Sequence, residues 1–311
     1  CAASVLEGTT RGCGVGWTTG VGAASGWGGR MGDLFMAGNG NATFTCVNVS
    51  GNAVFLSGNS AVQYQVSTSG PVAFSGIAQP LFGSTACSAA LQQLVTAPRT
   101  HLFESEYTRV AARSISAGGT LTAALAGAPA IATPFPIGNA LADQLKFVAR
   151  MISTAATTST RRQVFFVSIG GFDTHDGLAQ IHPGLLTTVA GAMNAFYQST
   201  VELGVANQVT AFTASDFGRT LTADDGSDHG WGSMHFMLGG AVRGGRYYGT
   251  APAVANNGPD DVGQGRLLPS TSVDQYAATL GKWFGIADSD LLTVLPNLSH
   301  WNASQRNLGF V

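Results

Sequence analysis

No run in this chain approaches the roughly 18 consecutive apolar residues that a membrane-spanning helix needs, so no span is expected. Charge is equally scarce. Only 10% of residues are charged, the formal net charge is −2, and no basic run or face is present. That removes the electrostatic footprint of a nucleic-acid binder. The four cysteines, Cys1, Cys13, Cys46 and Cys87, all fall in the first third and never in C-x-x-C spacing. A cysteine zinc site or a redox pair of that type is therefore excluded. One or two disulfides in an oxidising compartment are compatible with them, as are unpaired thiols, with Cys46 as a buried thiol in a strand. The nucleophile elbow G-x-S-x-G, the phosphate loop G-x-x-x-x-G-K-[ST] and the zinc helix H-E-x-x-H are all missing. No signal peptide is visible. Arg161-Arg162 imitates an export motif, but its mid-chain position marks the start of a strand.

What remains is a chain of 311 residues with 45% hydrophobic content, enough for one large or two modest globular domains. Its 42 glycines are scattered through turn-like sites rather than in a collagen period. Residues 1–25 show no sustained period and read as irregular chain. Gly26-Trp27-Gly28-Gly29-Arg30 opens a short helix. Residues 44–49, 53–56, 62–66 and 72–74 read as short strands in a small β meander or a layer on the main sheet. Residues 86–126 favour helix, with Leu91, Leu94, Leu102 and Val110 as apolar anchors. A further helix over 139–156 carries Leu141, Leu145, Val148 and Ile152 at helical spacing.

Residues 163–169 are a nearly continuous apolar run, the mark of a strand covered on both faces. Pro183 suits the first turn of a helix over 184–203, and Gly204 closes it. A second strand over 208–213 completes a parallel crossover. A strand over 234–241 follows, and Ser272-Val273-Asp274-Gln275 reads as a capping box for a helix to Phe284. The expected class is α/β, an α/β/α sandwich of three layers with a mainly parallel sheet.

Polar chemistry gathers between residues 163 and 248, which hold four of the six histidines and six aspartates. Gly170-Gly171-Phe172-Asp173-Thr174-His175 follows one strand. Ser215-Asp216-Phe217-Gly218-Arg219-Thr220 follows the next, and Gly226-Ser227-Asp228-His229-Gly230 lies beyond it. In parallel sheets functional side chains collect past the carboxyl ends of strands, so these loops are expected to converge. Carboxylates and neutral imidazoles suit zinc, and carboxylates suit magnesium or manganese. Asp173, His175, Asp216 and His229 are the candidate ligands, and Arg219 is a candidate cation for a phosphate or sulfate oxyanion. The same residues also admit plainer readings: Asp173 and His175 as local caps, Asp216 as a turn residue, Arg219 paired with Asp224 or Asp225. His182 and His235 read as structural.

These three motifs, with the Gly26–Arg30 stretch upstream and the helix from Asp274 downstream, resemble the bacterial family designated domain of unknown function 1501. That family is grouped with the alkaline phosphatase and sulfatase superfamily. The resemblance covers about residues 25–311. It implies an alkaline-phosphatase-like fold, export to the periplasm or beyond, and a divalent metal, zinc foremost. It also implies hydrolysis of phosphate or sulfate esters by a nucleophile that this sequence does not identify. Asp173, His175 and His229 match one metal site and Asp216 a second, although Phe217 stands where phosphatases often carry a histidine. The family's early Gly-Gly-x-Asp-Gly segment has no counterpart here. Residues 26–311 are therefore expected to be an N-terminally incomplete domain whose sheet lacks its first strand, and possession of the fold without catalysis, as an exported binding protein, is the alternative.

Overall fold

The computed structural model describes residues 2–7, 24–222 and 225–311. Its strands are β1 (Ala2–Glu7), β2 (Cys46–Asn48), β3 (Tyr64–Gln65), β4 (Val164–Ile169), β5 (Thr210–Ser215), β6 (Gly218–Arg219), β7 (His229–Gly230) and β8 (Met237–Gly239). Six of them form one sheet in the order β3-β2-β4-β1-β5-β8, while β6 and β7 make a separate two-stranded ribbon. Every pairing in the large sheet is parallel except β5 with β8. The helices are α1 (Trp27–Phe35), α2 (Thr85–Thr96), α3 (Leu102–Ala126), α4 (Ala140–Ser153), α5 (Leu178–Glu202), α6 (Val273–Phe284) and α7 (Leu291–Val294). The class is α/β, with a small, mainly parallel sheet.

Strand β4 shows why the sheet is covered on both faces. Successive side chains of a strand point to opposite sides. Phe165 and Val167 join a core with Leu141, Leu145 and Val148 of α4 and Val189 and Phe196 of α5. Val164 and Phe166 join a second core with Trp27 and Met31 of α1, Leu280 and Phe284 of α6 and Val294 of α7. A continuous apolar run is what two cores demand of one strand, and each buried aromatic contributes on the order of 2–3 kcal/mol. Asn139 caps α4, its Oδ1 accepting from the Ala142 N–H at 3.0 Å, and its Nδ2 donates to the Thr188 carbonyl of α5 at 2.9 Å. Gly204, at φ 70°, ends α5 in the left-handed region. The capping box of α6 is present, with both the Ser272 and Gln275 hydrogen bonds.

Several expectations need correction. Within the segment read as irregular, Ala2–Glu7 form β1, paired in parallel with both β4 and β5. It lies between them in the sheet. For the same reason β5 does not lie alongside β4: one strand separates them. There is no meander over 44–74. Strands β2 and β3 extend the main sheet in parallel, and Val54–Leu56 is a 3-10 turn. Residues 86–126 break into α2 and α3, and Leu94, Leu102 and Val110 are exposed rather than anchoring anything. Helix α5 starts upstream of the expected position, so Pro183 lies inside it. Cys46 is a buried free thiol in β2, its pKa pushed up to about 12 by burial, while Cys87 is free and exposed. Cys1 and Cys13 lie outside the described residues.

Candidate metal centre

Because β4 and β5 both run parallel to β1, their carboxyl ends open on the same side of the sheet. The loop after β4 carries Asp173 and His175. Past β5 the chain turns into the antiparallel ribbon β6–β7, whose register sets Arg219 opposite His229. A cross-strand pair thus delivers a cation and an imidazole to the carboxylate at the end of β4.

Glycines let the segments approach. A Cβ on Gly226 would overlap the carbonyl of His175, and one on Gly218 would overlap the carbonyl of Gly232. Gly171 takes φ 97°, a conformation that side-chain-bearing residues rarely adopt. Backbone bonds then fasten the loops, the Ser227 N–H donating to the Thr174 carbonyl and the Leu178 N–H to that of Asp225.

Asp173 Oδ1 is the hub. His229 Nε2 lies 2.8 Å from it, Arg219 Nη2 donates to it at 3.1 Å, and His175 Nδ1 stands 3.2 Å away. The hydrogen bond from His229, reinforced by that from Arg219 and by the charge of His175, holds this carboxyl below its ordinary range against a smaller opposing effect of desolvation. Ligand atoms of Asp173, His175 and His229 all lie within 4.8 Å of one another.

A surrounding set of contacts orients these three. The remaining nitrogen of His175, Nε2, faces Asp228 Oδ1 at 3.7 Å. Asp228 in turn accepts from the His229 backbone N–H at 2.7 Å and from Arg266 Nη2 at 3.3 Å. Those interactions, the backbone N–H first, keep its carboxyl below the usual range too. Phe217 stacks on the His229 ring with centroids 3.9 Å apart and planes inclined by 5°. The Arg219 guanidinium sits 4.8 Å from the centroid of the same phenyl ring.

The sequence had named Asp173, His175, His229 and Arg219, and the structure brings these four together. Asp216 is not in the three-residue group. Arg219, the candidate for a substrate oxyanion, is already engaged within the protein. Its terminal nitrogens donate to the carbonyls of Phe172 and Ser227 and to Asp173, so the side chain clamps two loops and a carboxylate. Of its expected alternative partners, Asp224 lies outside the described residues. His182 packs edge-on against Phe172 and His235 sits 3.4 Å from Thr213 Oγ1, and neither is in the three-residue group. Arg266 escaped the sequence reading because it belongs to no motif and reaches its partner across 38 residues. Phe217 carried a signal, an aromatic beside Asp216, whose meaning needed the stacking geometry.

Fold and site together define an α/β protein with an Asp-His-His group, clamped by an arginine, past the carboxyl ends of parallel strands. The model of a family described as protein of unknown function (DUF1501) matches residues 20–295, and the chain belongs to that family. No curated protein matches it.

Proposed function

We propose that this chain binds a divalent cation, zinc foremost with magnesium or manganese as alternatives, at Asp173, His175 and His229 and hydrolyses phosphate or sulfate esters there. The observation that supports this reading is the convergence of one carboxylate oxygen and two imidazole nitrogens within 4.8 Å. The donor set fits the metal. Ligand atoms around a tetrahedral zinc stand about 3.4 Å apart, given bonds of about 2.1 Å. Asp173 Oδ1 already lies 2.8 and 3.2 Å from the two imidazole nitrogens.

A cation bound there would polarise the ester oxygen or lower the pKa of bound water. The chain's own residues have separate tasks. Arg219 fixes the Asp173 carboxylate, and Asp228 faces the outer nitrogen of His175, the position from which a carboxylate sets the tautomer of a ligating imidazole. Phe217 holds the plane of His229. The same proposal takes the sheet and its helices as an alkaline-phosphatase-like sandwich and places the protein in the periplasm or outside the cell.

The test is metal content together with turnover. Protein purified without chelator should carry stoichiometric metal and cleave a phosphomonoester, a phosphodiester or a sulfate ester. Asp173→Ala should abolish both. Metal-free wild-type protein, together with hydrolysis that survives in Asp173→Ala, would sink the reading. A second reading, an exported binding protein without catalysis, is favoured by the engagement of Arg219 with two carbonyls and a carboxylate. Metal binding without turnover of any of the three ester classes would establish it.

A further inference from the structure

Helix α3 carries one seam of apolar and small residues along its length, but only half of it is packed. Phe103, Tyr107, Val110, Ser114, Ala117, Leu121 and Ala124 recur at alternating spacings of four and three, the repeat of a coiled-coil seam. In the second half, Ala117, Leu121 and Ala124 are 3%, 0% and 4% exposed, and the first two belong to the core shared with α4 and α5. In the first half, Phe103, Tyr107 and Val110 are 78%, 60% and 41% exposed. Leu94 of α2, 60% exposed, lines the same groove as Phe103 and Tyr107 and widens the patch. Exposed apolar surface of this continuity marks an interaction site.

We infer that this half-seam is the interface of a twofold dimer, in which α3 of one copy packs antiparallel against α3 of a second. The flanking charges select this occupant. Glu106 and Arg113 lie on one flank of the seam, one heptad apart, and both are exposed. In an antiparallel pair of helices the same flank meets itself, so Glu106 of each copy faces Arg113 of the other, twice by symmetry. The register that forms those two ion pairs also sets Tyr107 against Val110 and Phe103 against Ser114 across the axis. The Tyr107–Val110 layers and the charges agree on one alignment, with Phe103 covering the small side chain of Ser114. A parallel pair would oppose Glu106 to Ala111 and gain no charge contact. In the single chain Glu106 pairs with Arg109, an exposed contact one turn along that is worth little. Three turns of helix with the α2 margin make a small contact, and interfaces below about 1,200 Å² belong to weak, transient association, so a reversible dimer is expected.

Sedimentation velocity on the full chain, from low to several hundred micromolar, tests this. A monomer–dimer equilibrium is expected, weakened at least about tenfold by Phe103→Glu, since a buried charge opposes the contact. Glu106→Arg and Arg113→Glu should each weaken the dimer, and the double variant should restore it. These side chains are exposed, so circular dichroism should report an unchanged fold for every variant. A monomer at all concentrations overturns the inference, as does a dimer indifferent to Phe103→Glu or a double variant that fails to recover. A monomer that instead sediments with anionic lipid vesicles assigns the patch to a membrane surface and overturns it too. None of these readouts depends on metal or on ester hydrolysis.

Discussion

Two glycine-rich stretches of this chain each carry an arginine, and the two are built for opposite ends. In Gly26-Trp27-Gly28-Gly29-Arg30 the guanidinium is buried, with Nε donating to the Val294 carbonyl at 2.7 Å and Nη1 to the Ser25 carbonyl at 2.9 Å. The glycines there let α1 lie directly on residues 55–58, since a Cβ on Gly26, Gly28 or Gly29 would overlap Phe55, Ser57 or Gly58. In the stretch around Gly218-Arg219 the guanidinium also satisfies two carbonyls, but its third partner is a carboxylate shared with two histidines. Glycine density and an embedded arginine therefore mark close backbone approach in both places. Only the partially exposed carboxylate–imidazole group separates a site from a packing device.

Substitutions should split along this line, the packing stretch losing stability alone and the site losing metal affinity as well. Gly29→Ala drives a methyl into the backbone of Ser57 and is expected to cost about 3 kcal/mol in denaturant unfolding, the scale of overpacking in a fixed core. Gly226→Ala meets the His175 carbonyl instead, at a buried position beside a candidate ligand, and should lose metal affinity as well as stability. Equal destabilisation by both, with metal binding retained, would dissolve the distinction.

The two arginines sharpen it. Arg30→Ala removes a buried side chain that spans from residue 25 to residue 294, for a loss of about 2 kcal/mol. Metal affinity in the surviving folded fraction should be unchanged. Arg219→Ala frees the Asp173 carboxylate and should weaken metal binding by about 10- to 100-fold, the range found for groups that orient a ligand. Calorimetric titration with zinc on both variants reads the crossover.

Much of this was legible in the chain. A run such as Val164 to Ile169 has to be a doubly covered strand, and the Ser272–Gln275 pair is local chemistry that the structure repeats. The motif loops converge as parallel strands demand. What sequence could not reveal is set by long-range partners. Strand β1 has only Val5 and Leu6 as strong apolar signals, and its central place follows from pairing on both edges. The exposed apolar side chains of α2 and α3 satisfy helical spacing as well as buried ones do, so periodicity cannot say whether anything packs on them. Arg219 looked like a substrate cation because its carbonyl partners belong to Phe172 and Ser227, residues with no charge to announce them.

Acid offers a gentler probe. The Asp173 carboxyl is held below its ordinary value of 3.8, first by the His229 hydrogen bond and then by Arg219. A depressed carboxyl contributes stability that is complete above its unfolded value and fades as pH falls through the folded one. The loops around Asp173 should therefore stay ordered down to about pH 4 and loosen below it. Carbon-13 titration of the carboxylate should show the midpoint below 3.8 in the wild type and rising toward it in Arg219→Ala. A midpoint that ignores that substitution would remove Arg219 from the site.

The smallest expected effect concerns Phe217, the aromatic that follows Asp216. Its ring lies parallel to that of His229 and beneath the Arg219 cation. A stacked aromatic pair is worth roughly 0.5–1.5 kcal/mol beyond its burial, so Phe217→Ala should weaken zinc binding by about fivefold with little change in global stability. Phe217→Tyr keeps the stacking surface and should restore affinity to near the wild-type level. Phe217→His keeps a flat ring but adds a competing nitrogen. If the alanine variant binds zinc as tightly as the wild type, the stack is decoration, and His229 is held by its bond to Asp173 alone.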